Sequence, residues 1–130
     1  MYIIYKHTQG TGGEGSLELF VSDFTNHRIS VFDSTGSFLR HIGAGNMQCP
    51  YGLALSLGGA TQQGDHLLYV CEQTNNRIQV LNSRTGAHVG FLGEGALSSP
   101  RGLKIHAGAE GKALLFVSDK NNSRIQVLEA

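Results

Sequence analysis

The chain has no tryptophan, only two prolines and two cysteines, and no surplus of charge: 10 Lys and Arg balance 10 Asp and Glu over 130 residues. Two cysteines are too few for a disulfide framework or a cysteine metal site. Cys71 stands where the repeats described below carry Ser22 and Ser118, and Cys49 stands where they carry Ser99, so both are expected to be plain structural thiols. Electroneutrality argues against a general polyanion binder, whose affinity comes from cations neutralising phosphates. Nothing approaches the run of about 18 apolar residues that spans a bilayer, so no membrane role is expected. Met1 to Tyr5 is apolar but too short for a secretory core, with no basic flank or cleavage site. A cytoplasmic protein is the expectation. No segment carries a 3.6-residue apolar period, which argues against amphipathic helices.

What the chain does have is internal repetition. Phe20-Val21-Ser22-Asp23, with Arg28-Ile29-Ser30-Val31 after it, returns as Tyr69-Val70-Cys71-Glu72 with Arg77-Ile78-Gln79-Val80. It returns again as Phe116-Val117-Ser118-Asp119 with Arg124-Ile125-Gln126-Val127. Arg28 to Arg77 is a step of 49, and Arg77 to Arg124 a step of 47. Periods of this size mark stacked repeat architectures, in which one unit cannot bury its apolar face alone.

Within each copy the apolar period is two: Leu17, Leu19 and Val21 alternate with Glu18, Phe20 and Ser22. That is strand periodicity, and the 18 glycines fall between the runs as turn punctuation. The predicted strands are Ile3–His7, Leu17–Asp23, Arg28–Asp33 and Phe38–Ile42 in the first copy. They are Gly52–Ser56, His66–Glu72, Arg77–Asn82 and His88–Leu92 in the second, and Gly102–His106, Ala113–Asp119 and Arg124–Leu128 in the third. The connectors repeat too: Gly43, Gly45, Pro50 and Gly52 recur 50 residues later as Gly93, Gly95, Pro100 and Gly102. The expected fold is all-β, a single region over residues 1–130 built from β-propeller blades of four antiparallel strands, at about 2–43, 51–93 and 101–130. Two complete blades and most of a third make an incomplete, open propeller or a fragment, unless copies associate to close a ring.

The stretch from Cys49-Pro50-Tyr51-Gly52-Leu53 to Asn75-Asn76-Arg77-Ile78-Gln79-Val80 resembles an NHL repeat. That family reads Pro-x-Gly-apolar, then an apolar strand ending in Asp, then a polar turn with Asn-Arg-Ile/Val-x-Val. The likeness covers essentially the whole chain, with the polar turns Asn26-His27-Arg28, Asn75-Asn76-Arg77 and Asn122-Ser123-Arg124 its strongest part. Glu72 in place of Asp and the long loop Leu57–Asp65 are departures. WD40 repeats fit less well without a Trp-Asp signature, and kelch repeats less well because the Gly pairs fall in loops. The resemblance implies a protein-interaction module of the kind found at the recognition end of larger proteins, ubiquitin ligases and receptor kinases among them. It also leaves open a single-stranded RNA reader or a metal-dependent propeller lyase or hydrolase.

The residues weigh against the enzymatic alternatives. There is no Gly-x-Ser-x-Gly elbow. Gly10-x-Gly12-x-x-Gly15 matches a dinucleotide fingerprint but leads into a strand where that fingerprint needs a helix, so no cofactor is expected. His7 and His106 occupy equivalent strand ends, but two ligands in non-adjacent blades do not make a metal site. Asn121-x-Ser123 is a glycosylation sequon expected to be idle without a secretory signal. No catalytic residue is therefore assigned.

Strand reversal puts the turns Phe24–His27, Gln73–Asn76 and Lys120–Ser123 and the linkers Ala44–Tyr51 and Glu94–Arg101 at one end. The candidate binding residues there are Phe24, His27, Met47, Tyr51, Asn76, Arg101, Lys120 and Asn122. Its cations Arg28, Arg77, Arg101, Lys120 and Arg124 exceed its acids Asp23, Glu72, Glu94 and Asp119 by one, too few for an RNA-binding face, which favours a protein partner. The pairs Asp23–Arg28, Glu72–Arg77 and Asp119–Arg124 are read as hairpin locks. As exposed pairs, each is expected to contribute roughly 0–1 kcal/mol.

Overall fold

The structure is a computed structural model that describes residues 3–9, 15–56 and 66–130, with side chains from residue 17 onward. It is all-β. The strands of the first unit are β1 (Ile3–Gln9), β2 (Gly15–Asp23), β3 (Arg28–Asp33) and β4 (Phe38–Ile42). Those of the second are β5 (Pro50–Leu55), β6 (Leu67–Glu72), β7 (Arg77–Asn82) and β8 (His88–Leu92). The third has β9 (Pro100–Ala107), β10 (Ala113–Asp119) and β11 (Arg124–Glu129). Each unit is one antiparallel sheet in sequence order, two of four strands and one of three, and the array is open. Among the described residues no helix is long and apolar enough to cross a membrane.

The elements match the sequence reading except at their ends. β5 and β9 begin at Pro50 and Pro100 instead of at the glycines two residues on, because the first residue of a strand needs no ladder N–H. β1 and β2 extend into the expected loop 8–16, and the loop after β9 tightens into a 3-10 turn at Ala109–Gly111. Gly10 and Gly12 of the dinucleotide-like stretch, the side chain of His7 and the loop 57–65 lie outside the described residues.

Two apolar cores join the sheets face to face. In the first, Phe20, Ile29, Val31 and Ile42 of sheet one meet Leu53, Leu68, Val70 and Leu81 of sheet two. In the second, Ala54, Tyr69, Cys71, Ile78 and Val80 on the other face of sheet two meet Leu103, Leu115 and Val117 of sheet three. Full burial of such a side chain contributes roughly 1.5–3 kcal/mol, several times the worth of an exposed ion pair. The cores therefore stack the sheets, and the ion pairs tune them. The alternation read from the sequence explains why sheet two is apolar on both faces: Leu68 and Val70 point one way, Tyr69 and Cys71 the other.

The innermost strands β5 and β9 run side by side, and a register shift next to each inner glycine leaves a backbone donor off the ladder. Ser118 Oγ accepts the Gly102 N–H at 2.7 Å. Cys71 takes the same place against Gly52, which accounts for a small polar or polarisable residue at this position in sheets two and three. Burial pushes the Cys71 thiol up to about 12 despite that N–H, so it is an inert thiol at neutral pH.

Candidate functional site

The turn end is built from one device repeated in each sheet. A tight turn leaves the second strand at an acid and re-enters the third at an arginine, and the last turn residue is left-handed: His27 (φ 55°), Asn76 (φ 54°) and Ser123 (φ 52°). The linkers carry left-handed residues too, Cys49 (φ 49°) and Ser99 (φ 56°), just before each proline. Turn and linker are tied across sheets at these points. Cys49 N–H donates to His27 Nδ1 at 3.0 Å, and Ser99 N–H donates to Asn76 Oδ1 at 2.7 Å. Asn tolerates the left-handed region better than His.

The hairpin acids are hubs. Glu72 Oε2 pairs with Arg77 Nε at 2.7 Å, and its Oε1 accepts from Asn75 Nδ2 and from the linker N–H of Gln48, both at 2.9 Å. Asp119 repeats the arrangement with Arg124 Nε (2.9 Å), Asn122 Nδ2 (2.9 Å) and the linker N–H of Ser98 (2.7 Å). Glu72 and Asp119 are 0% exposed. Asp23 pairs with Arg28 at 3.0 Å and accepts from Asn26, but its side chain is 27% exposed. The pairs exist as expected, but the estimate for exposed pairs applies only to Asp23. In the other two copies the linker covers the carboxylate.

Burial alone would raise the Asp119 carboxyl, but the Ser98 N–H, the Asn122 amide and Arg124 outweigh it and hold it below the usual carboxylate range. A carboxylate depressed in the folded state contributes stability that is complete above its unfolded value and is lost as pH falls through the folded one. Wild-type stability should therefore fall more steeply below about pH 4 than that of Asp119→Asn. Urea melts at several pH values check this, and equal acid slopes would mean that the carboxylate carries no such linkage.

The predicted binding residues separate into groups. Phe24, Tyr51 and Arg101 come together as a row across three sheets. Phe24 meets Tyr51 edge to face at 5.9 Å, and the Arg101 guanidinium lies 5.3 Å from the Tyr51 ring centre. With the Gln73 amide turned over, its oxygen accepts from Arg101 Nε at 3.2 Å and from Ser99 Oγ at 3.1 Å, the orientation that satisfies both neighbours. His27, Asn76 and Asn122 are instead engaged in the ties just described. Lys120 is exposed and stands apart from this row. Met47 is only 3% exposed and belongs to the first core, so it is no exposed anchor and meets the surface only as part of the groove between the first two turns. Leu97 occupies the equivalent place in the second core.

Between the first two turns lies a groove of about 770 Å³ lined in part by two of the candidate binding residues, His27 and Met47, while its strand residues Gln79, His88 and Phe91 were not singled out. Asn26, Asn75 and Arg77 also line it. Gln79 is buried, its Nε2 lies 3.2 Å from His88 Nδ1, and its Oε1 has no hydrogen-bond partner. A buried, unmatched carbonyl oxygen costs about 1–3 kcal/mol unless something donates to it. Arg77 does not donate to it: its Nε pairs with Glu72, its Nη1 lies 3.6 Å from Glu94, and the guanidinium stacks 3.8 Å from the Phe91 ring centre. Asn26 and Asn75 spend their amide nitrogens on Asp23 and Glu72, leaving their oxygens as acceptors. The groove is thus rich in acceptors and poor in free cations. The signal in the sequence was a glutamine at mid-strand between Ile78 and Val80, repeated as Gln126.

Among the described residues no three His, Cys, Asp or Glu side chains gather into a metal-binding group. No protein-family model matches the chain, and no curated protein resembles it closely enough to count as a relative.

Proposed function

We propose that the chain is an NHL-type propeller module that recognises a protein partner through the turn end, with no catalytic chemistry of its own and a cytoplasmic place of action. The observation that carries this reading is the groove lined by Asn26, Asn75 and Gln79, whose arginine, Arg77, is already paired with Glu72. A polypeptide supplies what that groove lacks: backbone N–H groups at regular spacing, with lysine or arginine side chains. The row Phe24–Tyr51–Arg101 on the same end adds a preorganised aromatic and cationic contact of the kind that dominates protein interfaces. A phosphate backbone is poorly matched to this end. Arg28, Arg77 and Arg124 are neutralised by their own hairpin acids, which leaves Arg101 and Lys120 for a polyanion.

The test is selection from a random peptide library on the immobilised chain, with oligouridine binding measured in parallel at low and moderate salt. Peptides that bind wild type and lose at least about tenfold on Gln79→Leu or Arg101→Ala are expected, that factor being about 1.4 kcal/mol. Saturable oligouridine binding that Arg101→Ala and Lys120→Ala weaken and make less salt-dependent, with no peptide enriched, would overturn the reading in favour of RNA.

A further inference from the structure

We propose that the tie between His27 and the linker is a pH-sensitive latch on the groove: protonation of the imidazole releases the Cys49 N–H and loosens one wall of the groove, while the equivalent tie at Asn76 stays shut. Two repeat-equivalent bonds carry this. His27 and Asn76 each close the turn of their sheet in left-handed backbone, at φ 55° and 54°. Each then accepts a backbone N–H from the left-handed residue that precedes the next sheet's proline, Cys49 at 3.0 Å and Ser99 at 2.7 Å. The geometry repeats and the acceptor differs. Asn76 uses an amide oxygen, which does not titrate. His27 uses Nδ1, and a backbone N–H can bond that atom only while it carries no hydrogen. The neutral ring is therefore the Nε2–H tautomer.

Imidazole is the side chain whose charge changes between about pH 8 and pH 5. Protonation puts a hydrogen on Nδ1, two donors then face each other, and the bond is lost. The latch is closed at neutral and alkaline pH and opens as pH falls. Asp23 and Arg28 of the same hairpin pair with each other, and His41 of β4 lies 3.2 Å from Ser30 Oγ. The linker contributes the half-buried Cys49 thiol. Across the groove Arg77 pairs with Glu72 and Glu94, and His88 lies 3.2 Å from Gln79 Nε2. Opening is local, because the Gln48 N–H stays on Glu72 and the Gln73 N–H stays on the Cys49 carbonyl at 3.1 Å. What separates is the first turn from the linker, and both line the groove: Asn26 and His27 on one side, Gly45, Met47 and Gln48 on the other. As regulation of the partner site the latch rests on the reading above. As a property of the chain it needs no partner, so failure of the peptide selection and failure of the latch are separate results.

Amide-exchange NMR on wild type and His27→Asn, at about pH 7.5 and about pH 5 and corrected for intrinsic exchange, tests this. Asparagine is what the second copy carries at this position, so the variant keeps a tie that does not titrate, with His41 and His88 intact. In wild type the protection of Cys49 relative to Ser99 should fall at least about fivefold at the lower pH, the worth of one ordinary hydrogen bond. In His27→Asn the ratio should not change. Long-range proton–nitrogen spectra of the wild-type His27 ring at the higher pH should show Nε2–H. A constant wild-type ratio, an equal fall in His27→Asn, or an Nδ1–H ring overturns the proposal. The wild-type ratio and the ring spectrum decide it alone should circular dichroism show that His27→Asn does not fold.

Discussion

Glu72→Ala should destabilise the chain by about 3 kcal/mol, whereas Asp23→Ala, the same change in the first copy, should cost about 1 kcal/mol or less. Glu72 is fully buried and accepts from three donors: Arg77, Asn75 and the backbone of Gln48. Truncation removes the acceptor and leaves all three. The Asn75 amide and the Arg77 guanidinium can turn partly to water, since the Arg77 side chain is 22% exposed. The Gln48 N–H cannot move without shifting the linker, and that linker carries Met47 into the first core. The cost therefore falls at the low end of the range for breaking a buried pair, about 3–5 kcal/mol. Asp23 accepts no linker N–H among the described bonds, and both partners of its pair are about a third exposed, at 27% and 34%. Glu72→Gln keeps an acceptor for Gln48 and should lie between the two. Urea midpoints for the three variants measure the ranking, and equal losses for Glu72→Ala and Asp23→Ala would show that the linker tie contributes nothing.

This contrast also shows where reading the sequence stops. The acid, the polar turn and the arginine stand at fixed spacing in every copy, so the hairpin lock is legible from side chains alone. The donor that distinguishes Glu72 and Asp119 from Asp23 is a backbone N–H, which has no letter in the sequence. The strands are legible because burial on alternate positions forces a period of two, and their ends shift only where a proline takes the first place in a ladder. Met47 could have been placed in the core: Leu97 stands 50 residues later, and two apolar residues at one position of otherwise polar linkers signal burial. Gln79 could be flagged as a polar residue at a core-facing position, but whether its amide is satisfied depends on His88, Phe91 and a turn from another sheet, which only the assembled fold brings together. The left-handed backbone at His27 is equally silent, because histidine is not the residue that such a turn prefers.

Gly52→Ala should be strongly destabilising, costing about 3 kcal/mol or more. Gly52 lies on β5 at the closest approach of the inner strands. A Cβ built on it would stand 2.2 Å from the Arg101 carbonyl oxygen and 3.0 Å from the Gly102 Cα. Both are backbone atoms, so no rotamer change relieves the contact. Sheets two and three must move apart, and the second core beside them must open: Ala54, Cys71 and Leu103 are within one or two positions of the clash in register. The Pro50-Tyr51-Gly52-Leu53 stretch thus has a steric meaning, since the space between β5 and β9 is too narrow for a side chain at Gly52. Gly90→Ala on the outer strand β8 is the matched control, because a Cβ there meets nothing within 4 Å, and a strand residue gains from losing the entropy of glycine. Gly90→Ala should be neutral or slightly stabilising. Thermal unfolding of the two variants against wild type decides the matter. If Gly52→Ala melts with Gly90→Ala, the inner strands are not packed backbone to backbone, and the open propeller array loses its centre.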